Sequence, residues 1–166
     1  REEEVRLQEI DLADIVDSAV DTFRDRLSRS SVRVEQDLAP GSVLQGDPEK
    51  LRRIIINLVS NSLDALEGAG LDNPYVSITT GQNLAGTELW LRVRDNGPGI
   101  PAERLSKIFS PFHTSKSDGT GLGLAITRKS VQAHGGSIEV ESTEGAGTEF
   151  LLTFPAAATP RSRPAS

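Results

Sequence analysis

The chain of 166 residues carries 18 Lys and Arg against 24 Asp and Glu, a net charge of −6 with a pI near 5.0, which argues against nucleic acid as its main partner. The absence of cysteine excludes a disulfide framework and a thiolate zinc site, and two histidines, His113 and His134, cannot alone build a multi-histidine metal site. A hydrophobic fraction of 36% and a mean hydropathy of −0.30 describe an ordinary soluble protein, with no run approaching a membrane span and no signal-peptide pattern. The length suits one domain with a real core. Opening on Arg1 and lacking methionine, the chain reads as a piece of a longer protein.

Arg1 to Leu7 is charged and helix-permissive, either the tail of an upstream helix or a linker. Leu12, Ile15, Val16, Ala19, Val20, Phe23 and Leu27 then keep a 3.6-residue period, with Asp11 placed to cap, and predict one amphipathic helix. Val32, Val34 and Leu38 alternate with polar residues and suggest a short strand. Ala39 to Ser42 breaks the pattern, and Val43-Leu44 leads into the next element.

That element, Leu51 to Leu66, is the centre of the chain. Wound as a helix, it places Leu51, Ile55, Leu58, Val59, Ser62 and Leu66 on a core-facing stripe, and Lys50, Asn57, Asn61 and Asp64 on a narrow stripe roughly opposite. Asp47 can cap it, Pro48 suits its first position, and Gly68 and Gly70 supply the stop. Two asparagines four apart are poor helix formers. They make either a solvated polar face or the wall of a site, where Asn61 would offer a neutral carbonyl oxygen to a hard cation such as Mg²⁺.

Tyr75 to Thr80 and Glu88 to Arg94 read as strands joined through Gly81 to Gly86, with Leu89, Leu91 and Val93 alternating against Trp90, Arg92 and Arg94. Asp95-Asn96-Gly97-Pro98-Gly99-Ile100 follows directly. It is a turn by composition. As a site, it would close the strand with an exposed Asp95 carboxylate able to read an exocyclic amine, while Gly97 and Gly99 admit a flat ligand. Pro101 to Asp118 is a polar connection carrying Phe109 and Phe112, and connections of this length without regular structure are usually functional lids or disordered. Asp118 to Leu124 is Gly-rich and opens a helix of about Leu122 to Ala133. It is either a hinge or a phosphate-binding helix start, and it matches neither the dinucleotide fingerprint nor the P-loop. Ser137 to Ser142 and Thr148 to Phe154 alternate around a turn at Glu144 to Gly147, and beyond Pro155 the composition predicts disorder. Helices interspersed with hairpin-linked strands indicate a two-layer α/β sandwich.

Taken in order, Asn57-Leu58-Val59-Ser60-Asn61, Asp95-Asn96-Gly97-Pro98-Gly99, Phe109-Ser110-Pro111-Phe112 and Gly119-Thr120-Gly121-Leu122-Gly123-Leu124 resemble the N, G1, F and G2 boxes of the histidine kinase catalytic domain. That domain shares its ATPase superfamily with gyrase, the heat-shock chaperone and the mismatch-repair ATPases. The resemblance implies a mixed, mostly antiparallel sheet covered on one face by about three helices, with an ATP lid over 101–118. It divides the chain into an upstream linker or helix tail (1–10), the catalytic domain (11–155) and a disordered tail (156–166).

Position by position, the resemblance implies ATP and Mg²⁺ as cofactors. Asn61 is the implied metal ligand, Asn57 its neighbour toward the phosphates, and Asp95 the reader of the adenine amine. Gly97, Gly99 and Ile100 shape the base pocket with Phe112. Gly119, Thr120, Gly121, Leu122 and Gly123 take the phosphate end, and Asp64 completes the nucleotide contacts. Lys116, beside His113 in a segment similar to the lid of nitrogen-regulatory-type kinases, reaches the phosphates or is an exposed loop lysine. Asn57 and Lys116 are the implied catalytic residues. Hydrolytic relatives carry a glutamate where Asn57 stands, and an amide is no general base, so phosphoryl transfer is expected rather than hydrolysis. Neither His113 nor His134 lies in an acceptor-like context, and His134 sits where its charge would suit a helix end. The acceptor histidine is expected on an upstream dimerisation domain, with a response regulator receiver as the eventual partner, a cytoplasmic location, and no nucleic acid or membrane contact. The alternatives are a serine/threonine kinase of the anti-sigma-factor type, or a nucleotide-binding adaptor without catalysis.

Overall fold

The computed structural model describes residues 5–110 and 123–157. A five-stranded sheet is built from β2 (Arg33–Asp37), β4 (Tyr75–Gln82), β5 (Glu88–Asp95), β6 (Ser137–Thr143) and β7 (Gly147–Pro155), ordered β2-β4-β5-β7-β6. Only the β2–β4 pair is parallel. A separate antiparallel pair joins β1 (Gln8–Asp11) to β3 (Val43–Gly46). Three longer helices, α1 (Leu12–Asp21), α3 (Pro48–Leu66) and α5 (Gly123–Ala133), line one face of the sheet. Helix α3 packs on β4 and β5, α5 packs on β6, and both α1 and α5 pack against α3. This is the two-layer α/β sandwich expected from the pattern.

The sheet's two faces follow its alternation. Val76, Ile78, Leu89, Leu91, Val93, Phe150, Leu152 and Phe154 point to the helices and are buried. On the outer face Trp90 lies across Gly81, where a Cβ would come within 2.4 Å of the ring, and the Arg92 guanidinium sits 5.0 Å over the indole. The hairpin between β4 and β5 is tied by Asn83, whose Oδ1 accepts the N–H groups of Thr87 and Glu88.

Helix α3 begins and ends as its sequence specifies. Asp47, in extended backbone, accepts the N–H groups of Glu49 and Lys50, and Pro48 occupies the first turn. Leu51, Ile55, Leu58, Val59, Ser62 and Leu66 are buried as predicted, and so are Ile54 and Leu63. Each buried leucine or isoleucine contributes about 1.5–3 kcal/mol relative to exposure, which makes this 19-residue helix the anchor of the core. Glu67 turns extended and Gly68 and Gly70 take positive φ, so the helix stops.

Four expectations are corrected. The single helix over Leu12 to Leu27 is broken: the Thr22 and Phe23 amides reach back three residues, to Ala19 and Val20, and a short α2 (Arg24–Ser28) follows. The tighter turn rotates the chain so that Phe23 stays buried. Residues 8–10, read as the end of a linker or helix tail, form β1 together with the capping Asp11, with Ile10 opposite Leu44. The lid connection opens with a helical turn, α4 (Ala102–Leu105), and buries Ile108, so its first part is ordered structure. Ala156 and Ala157, assigned to a disordered tail, donate to the Thr87 and Val43 carbonyls. The rest of that tail, 158–166, lies outside the described residues.

His134 also departs from its expected role. Helix α5 ends in a Schellman motif: the Gly136 amide bonds the Val131 carbonyl, the Gly135 amide bonds that of Gln132, and Gly135 takes φ +77. His134 is buried there, and its Nε2 accepts the Asp47 N–H at 3.1 Å. Nδ1 faces the Ser130 carbonyl at 2.8 Å and so carries the proton. A ring held this way is the neutral tautomer, not a cation set against the helix dipole.

Candidate functional site

Strand β5 delivers Asp95 to the end of the sheet beside the last turns of α3. Asp95 is 4% exposed, so the exposed carboxylate expected from the sequence is instead buried. Its position on the inward face of β5, continuing Leu89, Leu91 and Val93, is the reason. Burial pushes the carboxyl above the usual carboxylate range, partly offset by the Gly97 N–H donating to Oδ1 at 2.8 Å, by the Ser62 hydroxyl and by the Thr148 N–H.

The glycines after Asp95 bring backbones together. A Cβ on Gly97 would lie 3.0 Å from the Asp95 carboxylate and near Leu66 and Ala65. Gly99, at φ +79, would place a Cβ 2.2 Å from the Thr143 carbonyl, so the space that its missing side chain leaves is filled by the β6–β7 turn rather than left for a ligand. Gly147 (φ +101) passes even closer, with a Cβ 2.0 Å from the Asp95 carbonyl. Ile100 is partly buried against the core, and its N–H donates to Ser142 Oγ at 2.8 Å.

On α3, Asn57 and Asn61 are both half-buried. Asn57 Nδ2 donates to Thr127 Oγ1 of α5 at 3.1 Å, which leaves its carbonyl oxygen for other work. Asn57 lines a cleft of ≈ 360 Å³ between α3 and α5 with Lys50, Ile54 and Ile126, and Asn61, one turn further along α3, is not part of that lining. Asp64 is exposed, and its Oδ1 accepts from Arg26 of α2 at 2.8 Å. Arg26 also grips Glu67 through Nε and Nη2, and this pairing raises the guanidinium pKa further. Asp64 is thereby held toward α2, while Asn57 faces α5.

Phe109 packs partly buried against the core, with the Arg128 guanidinium 5.5 Å over its ring. Gly123 opens α5, and no described atom lies within 4 Å of where its Cβ would be. Phe112, His113, Lys116, Gly119, Thr120, Gly121 and Leu122 lie outside the described residues.

Residues 46–158 match the model of the family described as histidine kinase-, DNA gyrase B- and HSP90-like ATPases. The chain belongs to this family. It is 34% identical over 152 residues to the sensor histidine kinase ZraS of Escherichia coli (strain K12), covering 90% of this chain and 31% of ZraS. It is 37% identical over 144 residues to the C4-dicarboxylate transport sensor protein DctB of Rhizobium meliloti, covering 86% of this chain and 22% of DctB. The chain thus spans a third or less of these relatives. Among solved structures, the nucleotide-free catalytic domain of the histidine kinase ThkA superposes with a TM-score of 0.80 at 30% identity, covering 92% of this chain and 97% of that one. The fold and the sequence together make this a histidine kinase-type ATPase catalytic domain of the kind carried by sensor kinases.

The residues of this ATPase domain fit a magnesium nucleotide. Asn57 and Asn61 supply neutral amide oxygens, and among the described residues no group of three His, Cys, Asp or Glu could hold a metal. Such oxygens suit a cation that takes its other ligands from phosphates and water, which is the habit of Mg²⁺. Sequence reasoning passed over Thr127, Thr148, Ser142 and Gly147. Thr127 carried a signal, because it falls between Leu124 and Val131 on the buried face of α5, where a hydroxyl needs a partner.

Proposed function

We propose that this domain binds Mg²⁺–ATP and donates its γ-phosphoryl group to a histidine on a separate dimerising helical domain. The observation that carries the reading is the buried Asp95 carboxylate, set by Gly97 beside the asparagine-bearing helix α3. Asp95 accepts the exocyclic amine of adenine, with Gly97 and Ile100 beside the base and Phe112 closing it, while Gly99 serves the pocket by letting the β6–β7 turn pack close rather than by admitting the base. Asn61 would hold the metal and Asn57 turns its carbonyl toward the phosphates. Asp64, Lys116 and the loop from Gly119 to Gly123 are assigned to the rest of the nucleotide. Bound Mg²⁺ would supply neutralisation of the phosphate charge. The remaining task for the chain's own residues is positioning and electrostatics, which is most of what phosphoryl transfer requires. Asn57, as an amide tethered to Thr127, activates no water.

Support for the acceptor comes from the sensor histidine kinases to which the chain is similar. A response regulator receiver is the expected onward partner. We place the domain in the cytoplasm, and no described helix is long and apolar enough to cross a membrane. Incubated with γ-labelled ATP, the isolated domain should neither label itself nor release phosphate at an appreciable rate. Mixed with a helical domain bearing the acceptor histidine, it should label that histidine slowly, because the effective concentration of a covalent link is lost. The label should be acid-labile and base-stable. Acid-stable self-labelling on a hydroxyl would overturn the assignment.

A further inference from the structure

Ser62 is the polar residue of α3 for which the core gives no reason. It lies on the buried stripe at 2% exposure, and its Oγ is closed to solvent with no hydrogen bond of ordinary geometry. A helical serine has an easy escape in the carbonyl four residues back, and Ser62 does not take it. Buried hydroxyls without a partner are few and costly, and an alanine would fill the position without that penalty. What Ser62 faces is Asp95. The hydroxyl lies near enough to favour the charged carboxylate, yet the bond is not completed.

The other groups acting on Asp95 are fixed and neutral: the Gly97 N–H from its own strand end and the Thr148 N–H from β7. Charged neighbours are turned away. Asp64 and Glu67 of α3 are engaged by Arg26, while Arg94 and Glu149, paired across β5 and β7, lie on the outer face of the sheet. On β4 the residue opposite Asp95 is the apolar Val76. Among the described groups that act on this carboxylate, Ser62 is therefore the donor that can rotate.

We propose that Ser62 is a specificity-determining positioning residue, whose hydroxyl swings onto the Asp95 carboxylate when adenine arrives and orients its remaining lone pairs to the exocyclic amine. This rests on the nucleotide reading above. It also explains how a buried carboxylate serves as an acceptor. Burial pushes Asp95 up, and a protonated carboxyl is a poorer acceptor for an amine. A hydroxyl donor bonds the charged form more strongly than the neutral one and so opposes that protonation. Without the hydroxyl the acid limb of ATP binding moves to higher pH.

The test is Ser62→Ala, compared with the unmodified domain by thermal denaturation without nucleotide and by calorimetric titration with ATP and GTP from about pH 8 down to about pH 5. Removing an unsatisfied hydroxyl should leave the melting temperature unchanged or raise it. ATP affinity should fall roughly tenfold toward the acid end and less at the alkaline end, with the ATP preference over GTP reduced. An ATP profile that overlays the unmodified one overturns the proposal. So does an equal, pH-independent loss of ATP and GTP, which is a packing effect. Both of those results leave the nucleotide reading standing, whereas an unmodified domain that binds no ATP removes that reading and this proposal together.

Discussion

Replacing Asp47 by alanine deletes one short side chain and unties three backbone donors. Oδ1 holds the Glu49 and Lys50 amides at 3.2 and 3.3 Å, and Oδ2 holds the Arg6 amide at 3.0 Å. Loss of a helix cap costs about 1–2 kcal/mol. Leaving the part-buried Arg6 N–H unbonded adds about 1 kcal/mol. The sum is about 2–3 kcal/mol, and a domain of this size loses about 2–4 °C of melting temperature per kcal/mol. Asp47→Ala should therefore melt about 5–10 °C lower at neutral pH. The acid dependence supplies a second readout. Burial works against the Asp47 charge, but the Arg6, Lys50 and Glu49 amides outweigh it and hold the carboxyl below its ordinary range. A depressed folded value means that the stabilisation is complete above the unfolded carboxylate pKa of about 3.9 and is lost as pH falls through the folded one. Melting curves followed by circular dichroism at pH 7 and in acid should show the gap between the two proteins closing. A gap that stays constant into acid, or none at neutral pH, would refute the capping account.

Asn61→Ala should weaken ATP binding chiefly when Mg²⁺ is present, and equal weakening without the metal, by calorimetry, would count against its role as a ligand. Asp95→Asn should trade function for stability. A carboxyl whose folded pKa is raised costs stability in its charged form at neutral pH, so the amide should raise the melting temperature while most of the ATP preference over GTP disappears. Gly147→Ala forces a side chain onto φ +101 and a Cβ to within 2.0 Å of the Asp95 carbonyl. At least about 1–3 kcal/mol of strain should appear as a lower melting temperature, together with weaker ATP binding because Asp95 is displaced.

Much of the fold was legible wherever one residue type performs one local job. Asp47-Pro48 starts α3, Gly135-Gly136 stops α5, and the alternation of Leu89, Leu91 and Val93 marks an inward strand face. What escaped was set by distant partners. The period from Leu12 to Leu27 continues through the break at Thr22, because α2 still turns Leu27 toward the core. Strand β1 exists because β3 offers it a ladder, and four residues beginning Gln8-Glu9 carry too little pattern to announce that. The site divided the same way. The order of its motifs pointed to the nucleotide, but the burial of Asp95, the Asn57–Thr127 bond and the hold of Arg26 on Asp64 each join segments far apart in the chain.

The β1–β3 ladder has a consequence for how such a domain is attached to anything else. The chain enters along β1, with Asp11 opposite Val43, and on its way out Ala157 bonds the carbonyl of that same Val43. Entry and exit therefore share one corner of the molecule, only a few strand residues of about 3.4 Å each apart. A unit whose ends meet is a cassette: it can be spliced between unrelated flanking modules, or cut and rejoined as a circular permutant, without rerouting its interior. The Asp95 end of β5 points away from that corner, so a joint made there leaves the far end of the sheet uncovered by the junction.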